Sequence, residues 1–226
     1  MIQRNIGEIV KTYFDEENGF GEHKPIAIKL LKKTTEILKE FNINYCLISG
    51  TLLGYVRHND FIPWDDDLDL LVDDSVSKKL PDIFEKHKDV VVLSKFPNMI
   101  RFCFKDIGFE VPGKANGWKD KILNEGTFNW PFIDFFIYKN KNVNNKIQFF
   151  KKLWDADKFF PAVNTIFLGI DVSVPKDPDY FLKLNYGSGY MQTLKSSRYS
   201  HKKEELIKNR IITMEEYKSA QKQDAE

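Results

Sequence analysis

Cysteine occurs only twice in these 226 residues and arginine only five times, and lysine supplies almost all of the positive charge. Cys46 and Cys103 both sit in apolar, strand-like runs. They offer no disulfide framework, and buried reduced thiols are the expected state. The amino-terminal stretch has no long apolar run, so neither a signal peptide nor a membrane-spanning helix is expected. A soluble, cytoplasmic protein follows from these absences. The formal net charge is only +1, and without a general basic footprint there is no reason to expect a nucleic-acid partner. Nothing resembles a Ser-His-Asp triad, a P-loop or a zinc-ligand spacing. With arginine so scarce, Arg57 and Arg101 gain weight as oxyanion contacts, because the guanidinium is a planar fork. Hydrophobic content of 42% and aromatic content of 14% describe a globular chain with a substantial core, not a disordered one.

What is present concentrates in residues 49–72, SGTLLGYVRHNDFIPWDDDLDLLV. A small-residue turn, Ser49-Gly50-Thr51, precedes four aspartates, Asp65, Asp66, Asp67 and Asp69, with Arg57 and His58 between. Asp67-Leu68-Asp69 runs into Leu70-Leu71-Val72, which reads as a strand, where residues two apart share a face. Two ionised carboxylates on one face repel each other unless something neutralises them. A hard divalent cation does so, and Mg²⁺ held by carboxylates commonly holds a phosphate as well. The competing reading is a solvated acidic loop. The apolar flanks Phe61-Ile62-Pro63-Trp64 and 68–72 argue against it.

Helical spacing over residues 26–41 predicts a helix, with Pro25 in its first turn. Residues 43–48 read as a buried strand delivering Ser49-Gly50, and 51–56 as a helix, which places the turn at a helix amino terminus that favours anions. A helix is expected over 76–87, strands over 90–93, 99–104 and 109–111, and a mobile loop over 113–129. Residues 130–138 are apolar except for Asp134, which needs a partner, either a metal or a Lys or Arg. Residues 146–160 read as a helix, 163–174 as extended, and 178–186 as a short helix. From 202 the chain is highly charged, with one docked helix and a frayed end after Tyr217.

The residues Gly50-Thr51-Leu52-Leu53-Gly54, Arg57-His58 and Phe61-Ile62-Pro63-Trp64-Asp65-Asp66-Asp67-Leu68-Asp69 resemble the signature of the LicD family, which includes the fukutin-type proteins. Pro131-Phe132-Ile133-Asp134 resembles the family's later acidic strand, and Val174-Pro175 with Tyr186-Gly187 its carboxy-terminal motif. The resemblance extends over roughly residues 25–190 and implies one domain spanning 1–226. The implied fold is α/β (α+β), a nucleotidyltransferase-like mixed sheet flanked by helices, with a mostly helical carboxy-terminal part. The implied activity is transfer of a phosphorylated group, phosphocholine or an alditol phosphate, from a CDP-activated donor to a hydroxyl of a glycan or glycolipid. A lipid-linked acceptor would draw the protein to a membrane surface.

By position, Asp67, Asp69 and Asp134 match the family's catalytic and Mg²⁺-binding carboxylates (Mn²⁺ substituting), and Ser49, Gly50 and Thr51 match the phosphate turn. Asp65 either joins the metal or braces the site from outside, Asp66 points away, and Arg57 either clamps a phosphate or neutralises the acidic run. His58 reads as a hydrogen-bonding partner more than a base, Trp64 and Phe61 as core, and Tyr186 as packing. The alternatives are a nucleotidyltransferase that attaches a nucleoside monophosphate to a sugar phosphate or small molecule and an inactive nucleotide-binding module.

Overall fold

A computed structural model describes residues 5–96, 98–112, 127–141 and 144–223. Its helices are α1 (Ile6–Tyr13), α2 (Lys24–Glu40), α3 (Ser49–His58), α4 (Asp74–Ser77), α5 (Leu80–Glu85), α6 (Ala156–Phe159), α7 (Pro178–Tyr186) and α8 (Met214–Gln223). The strands that build the central sheet are β1 (Tyr45–Leu47), β2 (Leu68–Asp73), β3 (Val90–Phe96), β4 (Met99–Phe104) and, after the short pair β5 (Phe109–Pro112) and β6 (Thr127–Trp130), β7 (Phe132–Lys141). Strands β8 (Lys146–Phe149) and β9 (Lys152–Asp155) extend it. Outside it lie β10 (Val163–Phe167), β11 (Ile170–Val174), β12 (Thr193–Lys195), β13 (Tyr199–Ser200), β14 (Glu205–Leu206) and β15 (Ile211–Thr213).

The sheet runs in the order β1-β2-β7-β4-β3, with β2 and β7 parallel and their other neighbours antiparallel. The pairing that matters most is at its centre. Asp69 stands opposite Asp134 on β7, and Asp134 stands opposite Arg101 on β4. Directly opposed residues project to the same face, so residues far apart in sequence meet there. The other face is an apolar layer in which the rings of Phe84, Phe102 and Phe135 pack tilted or edge-on with centroids 4.3 to 5.5 Å apart. Helix α2 buries Ala27, Leu30, Leu31, Ile37 and Leu38, the three-and-four spacing of an amphipathic helix.

Several elements differ from the sequence-based expectation, each for a physical reason. Residues 146–160 form the β8–β9 hairpin and a single helical turn, not one helix. Ile147 and Phe149 alternate inward with Lys146 and Gln148 half-exposed between them, and this period of two wins over a weak helical spacing. The helix expected over 76–87 is split into α4 and α5, because Pro81 suits a helix start and not an interior. The carboxy-terminal part is less helical than expected. Ile211 belongs to β15, Leu206 to β14, and α8 begins only at Met214 and runs past Tyr217 to Gln223. The loop over 113–129 lies outside the described residues apart from Thr127–Asn129, which enter β6. The first and last helices pack on each other, and Trp64 meets Phe14 and Tyr217 at 4.8 and 5.4 Å. Cys46 and Cys103 are buried free thiols.

Candidate functional site

Four acidic residues enter from one loop and one strand. Asp65 and Asp66 lie in the turn that follows Trp64, Asp67 immediately precedes β2, and Asp69 is its second residue. The carboxylates of Asp67, Asp69 and Asp134 each place an oxygen within 4.8 Å of the other two. Asp69 and Asp134 are buried, and Asp67 is half-buried.

The turn at Ser49–Thr51 shapes this cluster. Ser49 adopts a φ of +48°, a conformation non-glycine residues rarely take and one that recurs at functional sites. Helix α3 starts there and aims its first groups at β2. The Gly50 N–H donates to Asp69 Oδ2 at 3.3 Å, and the Asp69 N–H donates to Thr51 Oγ1 at 2.8 Å. A Cβ at position 50 would lie 2.0 Å from Asp65 Oδ2, so any larger residue there displaces the Asp65 carboxylate. Thus Gly50 and Thr51, expected to cradle phosphate, hold the carboxylate strand in place.

Two cations face the cluster. Arg101 donates from Nε and Nη2 to the two oxygens of Asp134 at 2.7 and 2.8 Å, and its guanidinium carbon lies 3.5 Å from the centroid of the Phe132 ring. His201 Nε2 is 3.2 Å from Asp67 Oδ2, and its ring meets Phe132 edge-on at 5.0 Å. Of the partners named for Asp134 in the sequence, the arginine is the one seen: Arg101 pairs with it, and two further carboxylates adjoin the pair.

The electrostatics follow from burial against pairing. Burial pushes the Asp69 carboxyl well above its usual range, and neighbouring Asp67 and Asp134 add to it. Burial also pushes Asp67 up, but the adjacent His201 outweighs that and holds it below its usual value. His201 would lose its proton on burial, yet Asp67 holds its pKa up to about 9. Burial likewise disfavours charge on Arg101, and Asp134 more than offsets it.

The remaining expected residues fall around the cluster. Asp65 belongs to neither potential metal-holding group among the described residues, and it makes no side-chain hydrogen bond or ion pair there. Burial, then Asp67 and Asp66, push its pKa well up. Asp66, expected to point away, instead places a carboxylate oxygen within 4.8 Å of ligand atoms of Asp67 and His201, a second group that could hold a metal, and it also anchors backbone. Its Oδ2 accepts from the N–H groups of His201 and Lys202 at 2.7 and 3.0 Å, and its carbonyl accepts from Trp130 Nε1 at 2.7 Å. Arg57 is occupied elsewhere: Nη1 donates to the carbonyls of Tyr190 and Thr193 at 3.0 and 3.3 Å, and Nε donates to His58 Nε2 at 2.9 Å. His58 is therefore a neutral acceptor. Burial, then the Arg57 charge, lower its pKa to about 4. Phe61 and Trp64 are core, and the indole of Trp64 donates to the Lys195 carbonyl at 2.9 Å.

His201 was missed by sequence reasoning. Its neighbours are charged surface-type residues, and only its isolation as the last of four histidines marks it. Asp66 brings it in from 135 residues away.

Fold and cluster together define a nucleotidyltransferase-type α/β domain built around a carboxylate centre. The chain belongs to the LicD family: the family model described as LicD/FKTN/FKRP, nucleotidyltransferase domain, matches residues 42–177. It is similar to the lipopolysaccharide cholinephosphotransferase LicD of Haemophilus influenzae, 32% identical over 145 residues that cover 59% of this chain and 55% of that protein. It is also similar to the ribitol 5-phosphate transferase FKRP of Mus musculus, 40% identical over 185 residues covering 74% and 33%. An uncharacterized protein of Rickettsia typhi is 52% identical over 50 residues, covering 22% and 16%. The chain thus spans little more than half of the Haemophilus protein's length and less of the other two. Among solved structures, the lincomycin-bound lincosamide adenylyltransferase LnuA aligns with a TM-score of 0.44 at 12% identity, covering 72% of this chain and 86% of that one.

Proposed function

We propose that the chain is a metal-dependent transferase. It moves a phosphorylated group of the phosphocholine or alditol phosphate class from a CDP-activated donor to a hydroxyl of a glycan or glycolipid. The observation that carries this reading is the convergence of Asp67, Asp69 and Asp134 within 4.8 Å. Three such oxygens suit a hard divalent cation, Mg²⁺ or Mn²⁺. Asp69 is pushed well upward by its surroundings, as expected of a site with too little positive charge of its own. The chemistry supplied by a cation held there is neutralisation of charge on the oxygens of a transferring phosphoryl group.

The chain's own residues do the rest. Thr51 and Gly50 fix the orientation of Asp69. Arg101, clamped between Asp134 and the Phe132 face, keeps unused N–H donors for donor oxyanions. His201 orients Asp67 through one oxygen and leaves the other for a metal. Asp65, half-buried and without an ion partner among the described residues, is the carboxylate suited to take the proton of the acceptor hydroxyl. The relatives named as cholinephosphate and ribitol 5-phosphate transferases support the substrate class.

A thermal-shift series with CDP-choline, CDP-ribitol, CDP-glycerol, CTP and UDP-sugars, each with Mg²⁺, tests the donor. A ligand that binds only the folded state raises the midpoint by mass action. A midpoint raised by CTP alone, followed by pyrophosphate release, would favour the nucleotidyltransferase alternative. CDP binding without turnover on any acceptor would favour the inactive module.

A further inference from the structure

The β8–β9 hairpin carries a conflict between its backbone and its sequence. Its turn consists of Phe150 and Lys151, with φ of 50° and 59°, closed by the pair Phe149 and Lys152. Positive φ at both central residues is the type I′ geometry, for which Asn and Gly are the unstrained choices. Phe and Lys there are strained. Asn144 and Asn145 just before β8 make the expected choice, while the β10–β11 turn pairs Gly169 with a Leu168 that also has positive φ, so of the two hairpins only β8–β9 has no Gly or Asn in its turn. Local rules are broken chiefly where function demands it.

Packing accounts for only part of the exception. The Phe150 ring meets Phe136 at 4.7 Å and Phe149 at 5.2 Å, yet Phe150 remains 37% exposed and Leu153 59% exposed. Lys151 makes no hydrogen bond or ion pair among the described residues. Lys152 is also exposed, as are Lys139 and Lys141 at the end of β7, the strand that β8 pairs with. Lys146 pairs with Asp155 and is not counted with them. Two exposed apolar side chains fall far short of the roughly 800 Å² per partner that a stable protein interface buries. Exposed apolar groups with lysines beside them in the same turn instead match a lipid headgroup region carrying negative charge.

We propose that the β8–β9 tip docks the chain on an anionic membrane surface. Phe150 and Leu153 enter the headgroup boundary, and Lys151 and Lys152, with Lys139 beside them, meet lipid phosphates. Phe136, against which Phe150 packs, is two residues beyond Asp134 on the same face of β7, about 7 Å along the strand. Docking therefore brings the carboxylate cluster close to the lipid surface. The inference stands on the hairpin alone and does not need the proposed catalytic activity.

Co-sedimentation with phosphatidylcholine vesicles, with and without phosphatidylglycerol, is the test. The wild-type chain should bind only the phosphatidylglycerol vesicles and release as salt rises. Lys151→Gly combined with Lys152→Gln relieves turn strain and removes two charges. At about fivefold per lysine, it should weaken binding by about 25-fold while leaving the melting temperature equal or higher. Leu153→Ser, at an exposed site, should weaken it by about tenfold. Lys218→Gln with Lys222→Gln on α8 should bind as wild type. Failure of the wild type to bind, equal binding to phosphatidylcholine alone, wild-type affinity in either hairpin variant, or an equal loss in the α8 variant would overturn the proposal.

Discussion

Replacing Arg101 with Gln separates structural pairing from metal binding in one experiment. In the folded chain the Asp134 carboxylate is only 3% exposed, and both its oxygens accept from Arg101. Without that partner, a buried carboxylate is left beside Asp69 and Asp67. Breaking a buried pair this way costs about 3–5 kcal/mol. A loss of about 3–5 kcal/mol lowers the melting temperature by roughly 6–20 °C in a chain of this size.

Excess divalent metal should reverse much of that loss if Asp134 belongs to a metal site. Saturation at about a hundredfold over Kd returns about 2.7 kcal/mol. In the wild type the same ion must compete with the guanidinium for Asp134, so its gain is smaller. Calorimetry of both proteins in EDTA and in excess Mg²⁺ measures this directly. The Mg²⁺-induced rise should be several degrees larger in Arg101→Gln than in the wild type. Equal destabilisation with and without metal would refute the reasoning and leave Arg101–Asp134 a purely structural pair.

Three further outcomes are expected. Asp69→Asn should abolish turnover while the metal-free protein melts at the same or a higher temperature, because a carboxylate raised by burial and like-charge neighbours is removed; retained turnover at limiting Mg²⁺ would argue against the assignment. Asp66→Ala should orphan the His201 and Lys202 N–H groups and cost roughly 2–4 kcal/mol, with a matching fall in melting temperature and in turnover as His201 leaves Asp67; an unchanged melting temperature would contradict the anchoring role. His58 has a folded pKa of about 4, below its unfolded value of 6.5, so its contribution is present above pH ~6.5 and lost as pH falls toward ~4. The melting-temperature gap between wild type and His58→Gln should shrink over that window, and a constant gap would show that His58 is not held neutral.

Legibility in the sequence tracked the range of the interactions involved. The Asp67-Leu68-Asp69 step, the α2 stripe and the turn that opens α3 are local patterns, displayed within residues 24–40 and 49–72. Asp134 was visible because a lone carboxylate in an apolar run needs a partner, but whether that partner was cation or metal depended on β4 and β7 aligning Arg101 with it. Arg57 looked like a phosphate clamp because the carbonyls it binds lie more than 130 residues downstream. His201 was hidden for the same reason. Residues 146–160 misled because Phe149, Phe150, Leu153 and Trp154 fit a helical stripe as readily as a hairpin, and a Phe-Lys turn gives no Gly or Asn signal. The fold follows mainly from short-range pattern. The site is finished by long-range pairing.

The central claim is that this carboxylate cluster cleaves a CDP-activated donor. Chromatography of CDP-choline, CDP-ribitol and CDP-glycerol incubated with the chain, Mg²⁺ and a glycan or glycolipid acceptor tests it most directly. The account predicts CMP release with at least one donor, lost in EDTA, restored by Mg²⁺ or Mn²⁺ and absent in Asp69→Asn. CMP release that persists in EDTA or in Asp69→Asn, or pyrophosphate as the product from CTP with every CDP donor intact, would contradict it.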